Sequence, residues 1–114
     1  YYNKNYSLMF FNSAMGSYNK LVRDKIPEIL DEKGVRYEKR IASDEEYKSE
    51  LVKKLGEETA EFLKDGDLEE LADVIEVIEA LKKLPDYENA EDVRRKKLKE
   101  RGGFDEKIIL KGEK

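Results

Sequence analysis

Glu57-Glu58-Thr59-Ala60-Glu61-Phe62-Leu63-Lys64-Asp65-Gly66-Asp67-Leu68-Glu69-Glu70-Leu71-Ala72-Asp73 decides how this chain folds. Glu58 and Glu61 form one i,i+3 pair and Glu70 and Asp73 another, on either side of Lys64-Asp65-Gly66-Asp67. The position numbers of Glu58 and Asp73 add to the same total as those of Glu61 and Glu70. If the flanking segments are antiparallel helices joined by this turn, Glu58 therefore lies level with Asp73, and Glu61 with Glu70. Residues three apart share a helix face, so all four carboxylates converge on one point. Carboxylates gathered away from bulk water need a positive charge between them, and Mg²⁺, with Mn²⁺ as an alternative, suits an all-oxygen donor set.

Periodicity at about 100° per residue supports the two helices. On the first, Tyr47, Leu51, Leu55 and Phe62 form an apolar arc, widened by Val52 and Leu63; Glu58 projects inside it and Glu61 lies on its edge. On the second, Leu71, Val74, Val77, Ile78 and Leu81 make the stripe, with Glu70 inside it and Asp73 on its border. Glu57, Glu69, Glu76 and Glu79 point more nearly to the polar sides. A carboxylate on a core-facing stripe is costly unless compensated. In a chain that is 44% charged, any single Glu reads as a solvated surface group. The matched quartet, with two members inside apolar arcs, reads as a metal site.

Punctuation places the remaining elements. Asp24 is the expected cap of a short helix over 26–32, with Pro27 in its first turn and Gly34 at its end. Val35, Tyr37 and Ile41 alternate partially, predicting a strand over 35–41. Ser43 and Glu46 form a capping box for the long helix reaching Lys64. Gly66 ends that helix, Asp67 and Glu70 open the next, and this one runs to about Leu84 before Pro85. Asn89 is expected to cap a third helix ending at Arg101, before Gly102-Gly103. A short strand over 107–110 would pair with 35–41. The fold class is therefore mainly α: an antiparallel helical hairpin, a third helix and a small β element.

At 114 residues the chain makes one domain. A hairpin with wide apolar stripes usually completes its core with a partner chain, so a homodimer or higher homo-oligomer that closes a four-helix bundle is expected. The chain has no Cys, which excludes disulfides and thiol catalysis. It has no His either, so carboxylates and water must do any acid–base work, and zinc chemistry is disfavoured. No apolar run approaches membrane-spanning length, which points to a soluble, cytoplasmic protein. Residues 1–14, rich in Tyr, Asn and Phe and almost uncharged, read as a leader before Met15, leaving 15–114 as the helical domain; a native N-terminal strand is the competing reading.

Charge is segregated. Residues 57–79 carry ten acids and one Lys, net -9, whereas residues 94–101 carry six basic residues and Glu100, net +5. A basic helix holding Arg95, Lys96 and Arg101 would neutralise the phosphates of a metal-bound ligand, or it would simply pair with the acidic hairpin. Overall charge of -4 and a pI near 5.1 argue against a nucleic-acid partner. Lys20, Arg23 and Lys25 form a second basic group, readable as ligand contacts or as solvated charge.

The spacing Glu57-Glu58-x-x-Glu61 followed by Glu70-x-x-Asp73 resembles that of the MazG-like all-α nucleoside triphosphate pyrophosphohydrolases. That group takes in phosphoribosyl-ATP pyrophosphohydrolase and the helical dUTPases. Tyr18-Asn19-Lys20-Leu21-Val22-Arg23-Asp24-Lys25-Ile26-Pro27 looks like the opening of a small subgroup described as house-cleaning enzymes, and Arg101-Gly102-Gly103-Phe104 is similar to its closing motif. The likeness covers about residues 18–111; the stretch before Tyr18 has no counterpart. It implies a MazG-like four-helix bundle formed by dimerisation, and hydrolysis of a nucleotide at its α-phosphorus to monophosphate and pyrophosphate. Glu58, Glu61, Glu70 and Asp73 would hold one to three Mg²⁺ ions. Glu57 would act as general base or join the metal shell, with Glu61 the other candidate base. Lys20, Arg23, Lys25, Lys54, Arg95, Lys96, Arg101 and Phe104 are the candidate substrate contacts, although Arg101-Gly102-Gly103-Phe104 has an equally ordinary reading as a helix C-cap. Two alternatives stand beside the enzyme: a regulatory domain that binds a nucleotide without turnover, and a helical dimerisation module.

Overall fold

Ser43 starts the longest helix. Its Oγ accepts a hydrogen bond from the Glu46 backbone N–H at 3.2 Å, and Asp44, Glu45 and Glu46 in the first turn suit the positive end of the helix dipole. The computed structural model describes residues 19–113. The predicted leader over 1–14 and the motif residue Tyr18 lie outside them.

Among the described residues there are four α-helices and one short 3-10 turn. Helix α1 spans Ile26–Glu32, α2 Asp44–Asp65, α3 Leu68–Lys82 and α4 Ala90–Arg101, with the 3-10 turn at Pro85–Tyr87. The chain divides into two compact units, one ending at Leu81 and the other running from Lys82 onward.

In the first unit, Gly66 closes α2 with a left-handed backbone, φ 65°, and its N–H reaches Phe62 O at 2.7 Å. That conformation is nearly free of penalty for glycine alone. Asp67 then caps α3, its Oδ1 accepting from the Glu70 N–H at 2.9 Å. Two residues thus connect α2 to α3, and carboxylates of the two helices meet across the hairpin as antiparallel packing requires.

Helix α1 ends in a Schellman motif. The Gly34 N–H bonds Asp31 O at 3.1 Å and the Val35 N–H bonds Leu30 O at 3.0 Å, with Gly34 at φ 71°. Ile26 and Leu30 are buried, and Val22, Ile29, Val35 and Tyr37 pack around them. The N-cap of α1 is Lys25, without a side-chain cap, so Asp24 does not take the capping role expected of it.

The predicted strands are absent among the described residues: 35–41 and 107–110 are irregular. Alternation makes a strand only when a second strand satisfies its backbone. Here Val35 and Tyr37 lie down on α1 instead, and the Tyr37 hydroxyl donates to Asp31 Oδ1 at 2.7 Å. Ile41 is exposed, as are Ile108, Ile109 and Leu110. The capping box is half realised: the Glu46 carboxylate is held by both Nη atoms of Arg40 at 2.6 Å, which ties the irregular segment to the start of α2.

Among the described residues four apolar side chains are buried: Ile26, Leu30, Leu51 and Val77. Of the predicted stripes, Tyr47, Leu55, Phe62, Val74 and Leu81 are half-buried. Val52, Leu63, Leu71 and Ile78 are exposed. With Leu68 and Ile75, also exposed, Leu71 and Ile78 make a second apolar row along α3, spaced three, four and three residues apart.

In the second unit, the backbone of α4 ends at Gly102, whose N–H reaches Leu98 O at 2.9 Å. Its first turn is organised by Glu91, which is 2.7 Å from Arg94, 3.2 Å from Arg95 and 3.5 Å from Lys82. The Arg94 hydrogen bond, more than any other influence, holds the Glu91 carboxyl down from its ordinary 4.5 to about 2. A carboxyl depressed by folding contributes stability that is complete above its ordinary pKa and is lost as pH falls through the folded value. An NMR titration is therefore expected to give Glu91 a midpoint near 2, with Arg94→Ala returning it toward 4.5. A wild-type midpoint in the ordinary range would contradict the pairing.

Candidate metal centre

Three acidic side chains from the facing sides of α2 and α3 are buried together. Glu58 is 3% exposed, Glu70 2% and Asp73 7%. Each offers an oxygen within 4.8 Å of the others. The helices that carry them explain how this arises. Leu51 and Glu58 lie on one face of α2, Val77 with Glu70 and Asp73 on one face of α3, so burying the apolar stripes drags the carboxylates inward.

Glu70 also belongs to a second group, with Glu61 and Asp65, whose oxygens likewise lie within 4.8 Å of one another. Glu61 is half-buried and Asp65 exposed, so this group opens toward the surface near the hairpin turn. The four predicted ligands are thus brought together, divided between an inner trio and an outer trio that share Glu70. Asp65 was missed, although it stands four residues after Glu61 on the same face of α2.

Basic side chains approach from two directions. Arg23, in the irregular segment before α1, places Nη2 2.8 Å from Asp73 Oδ1. Lys54, one turn before Glu58 on α2, brings Nζ to 3.9 Å from Glu58 Oε1, and both side chains are largely covered. Burial lowers the pKa of Lys54; the Glu58 charge opposes that fall and the Lys20 charge adds to it. Lys20 is therefore close enough to sense the site.

Three carboxylates are buried side by side, with Lys54 and Arg23 reaching them. Buried carboxylates are costly unless compensated, and Glu70 Oε2, wholly covered, accepts no hydrogen bond. Mutual separations within 4.8 Å let the three oxygens face one hard divalent cation. The donor chemistry, carboxylate oxygen throughout, agrees.

The other predicted site residues are placed as follows. Glu57 is half-buried and near enough to Lys54 to raise its pKa, but belongs to neither trio. Lys25 caps α1 and is exposed. Arg95, Lys96, Arg101 and Phe104 belong to the second unit and are exposed there, Arg95 at 3.2 Å from Glu91. No helix among the described residues is long and apolar enough to cross a membrane. No protein-family model matches the chain, and neither curated proteins nor solved structures offer a match.

Proposed function

We propose that this protein is a metal-dependent nucleoside triphosphate pyrophosphohydrolase of the MazG-like type, acting on a nucleoside triphosphate or a related nucleotide such as phosphoribosyl-ATP. The observation that carries the reading is the inner trio: Glu58, Glu70 and Asp73, buried and mutually within 4.8 Å on two antiparallel helices. The motifs at 18–27 and 101–104 give it the family and the α-phosphorus as the point of attack.

In this reading Glu58, Glu70 and Asp73 would hold Mg²⁺, with Mn²⁺ as a substitute. A bound divalent ion polarises the phosphate and stabilises the charge that develops there. Glu61, half-buried at the rim and sharing Glu70 with Asp65, stands where a carboxylate either extends the metal shell or accepts the proton of the attacking water. Glu57 is the alternative base. Water adds to the α-phosphorus, the bond to the bridging oxygen breaks, and nucleoside monophosphate and pyrophosphate leave. Arg23 and Lys54, paired with trio carboxylates, and Lys20, whose charge Lys54 feels, would supply positive charge for the phosphates.

The same reading makes the protein a homodimer. The exposed row Leu68, Leu71, Ile75 and Ile78 has the three-four spacing of a helix-packing seam, and a second copy is the occupant proposed for it. The row suits a purely structural dimerisation module equally well, so activity must decide between them.

The deciding assay measures pyrophosphate release from standard and modified nucleoside triphosphates and phosphoribosyl-ATP, with Mg²⁺, with Mn²⁺ and with chelator. Metal-dependent release with monophosphate as co-product is the expected result. Metal binding without release from any of these would leave a nucleotide sensor, and neither binding nor release would leave a dimerisation module.

A further inference from the structure

Two of the basic side chains that reach the inner trio, Lys54 and Arg23, differ in how they are held. Lys54 is rooted in the middle of α2 and its side chain is 11% exposed. Arg23 comes from an irregular segment, and its side chain is 46% exposed although its partner Asp73 is 10% exposed. The Arg23 side chain therefore reaches Asp73 while nearly half of its surface stays in water. A divalent cation ligated by Asp73 would stand within a few ångströms of that guanidinium and repel it. Lys54, largely covered, has little room to respond, whereas the Arg23 side chain, nearly half exposed, has room to move.

We propose that Arg23 is an exchangeable counter-ion. It holds the charge of Asp73 while the site lacks metal, yields Asp73 to an incoming divalent cation, and turns its fork to the phosphate or diphosphate group bound by that cation. This rests on the metal-site reading above and adds an order to it, in which metal loading releases the anion-binding group. Guanidinium suits the second task because its paired N–H groups match two phosphate oxygens at once.

The exchange predicts effects of opposite sign from one substitution. Mn²⁺ affinity, followed by electron paramagnetic resonance or calorimetry, is expected to rise roughly three- to ten-fold in Arg23→Ala, because a competing charge has gone. Affinity of the Mg²⁺-loaded protein for inorganic pyrophosphate is expected to fall about ten-fold or more in the same variant. Arg23→Lys, which keeps the charge but not the fork, should leave Mn²⁺ binding near wild type and still weaken pyrophosphate binding. Arg23→Gln provides a second uncharged variant, and circular dichroism verifies the helices of each. Weaker Mn²⁺ binding in the uncharged variants would overturn the proposal, since Arg23 would then orient Asp73. Unchanged Mn²⁺ binding would overturn it too, and so would unchanged pyrophosphate binding. Failure of the underlying metal reading would show separately, as wild-type protein that binds no Mn²⁺.

Discussion

Glu70→Gln is expected to abolish divalent-metal binding and metal-dependent turnover while raising the melting temperature of the metal-free protein. Glu70 is 2% exposed and is shared by both carboxylate trios, so its neutralisation weakens every arrangement of ligands the hairpin offers. Glutamine has the same shape, and its amide donates hydrogen bonds to carboxylates that glutamate would repel. Relief of that repulsion is worth about 1–2 kcal/mol at an effective dielectric near 20, after Lys54 and Arg23 have offset part of it. At about 4–8 °C per kcal/mol for a domain of this size, the shift is readily measured. Melting curves of wild type and variant, each with Mg²⁺ and with chelator, make the check. Wild type should gain stability with Mg²⁺ and the variant should not. A variant that melts lower than wild type without metal would show that the Glu70 carboxylate is already compensated within the fold.

Leu51→Ala should be the most damaging apolar substitution in the hairpin. Leu51 is 4% exposed and one of four buried apolar side chains among the described residues. Truncating a buried leucine costs about 2–5 kcal/mol, cavity included, against a total stability of about 5–15 kcal/mol for ordinary domains. Urea unfolding followed at 222 nm should show a midpoint far below wild type. Leu63→Ala, at a residue 79% exposed on the same helix, should stay within about 0.5 kcal/mol of wild type. Leu51 also lies on the face of α2 that carries Lys54 and Glu58, so the variant should bind Mn²⁺ more weakly even where it remains folded. Equal losses at the two leucines would mean that burial is not what distinguishes them.

Much of the hairpin is legible in the sequence. Helix period placed Glu58 and Glu70 inside apolar arcs and Glu61 on an edge, and the fold buries the first two and leaves Glu61 half-covered. Gly66 and the Ser43 cap marked where α2 ends and begins, because left-handed backbone and orphan N–H groups have few chemical solutions. What failed was information that depends on a distant partner. Val35, Tyr37 and Ile41 alternate like a strand, but nothing local says whether another strand exists to receive them; α1 took Val35 and Tyr37 instead. The Arg23–Asp73 pair bridges 50 positions, and no periodicity within either segment announces it. Asp24 failed as a cap for a subtler reason: several residues near a helix start compete for that position, and the chain placed Lys25 there. The outer row of α3 was half-seen, with Leu71 and Ile78 assigned to the core stripe, because a helix rich in apolar residues offers more than one face.

The two-residue link between α2 and α3 has a kinetic side. Joining neighbouring helices requires little loop-closure entropy, so contacts within such a hairpin are among those a chain forms fastest. In this hairpin the same closure brings carboxylates together. Their repulsion would slow an otherwise rapid step, and a cation that bound them would relieve it. Divalent ions would then accelerate folding as well as stabilise its product, making the refolding rate of this chain a gauge of metal concentration.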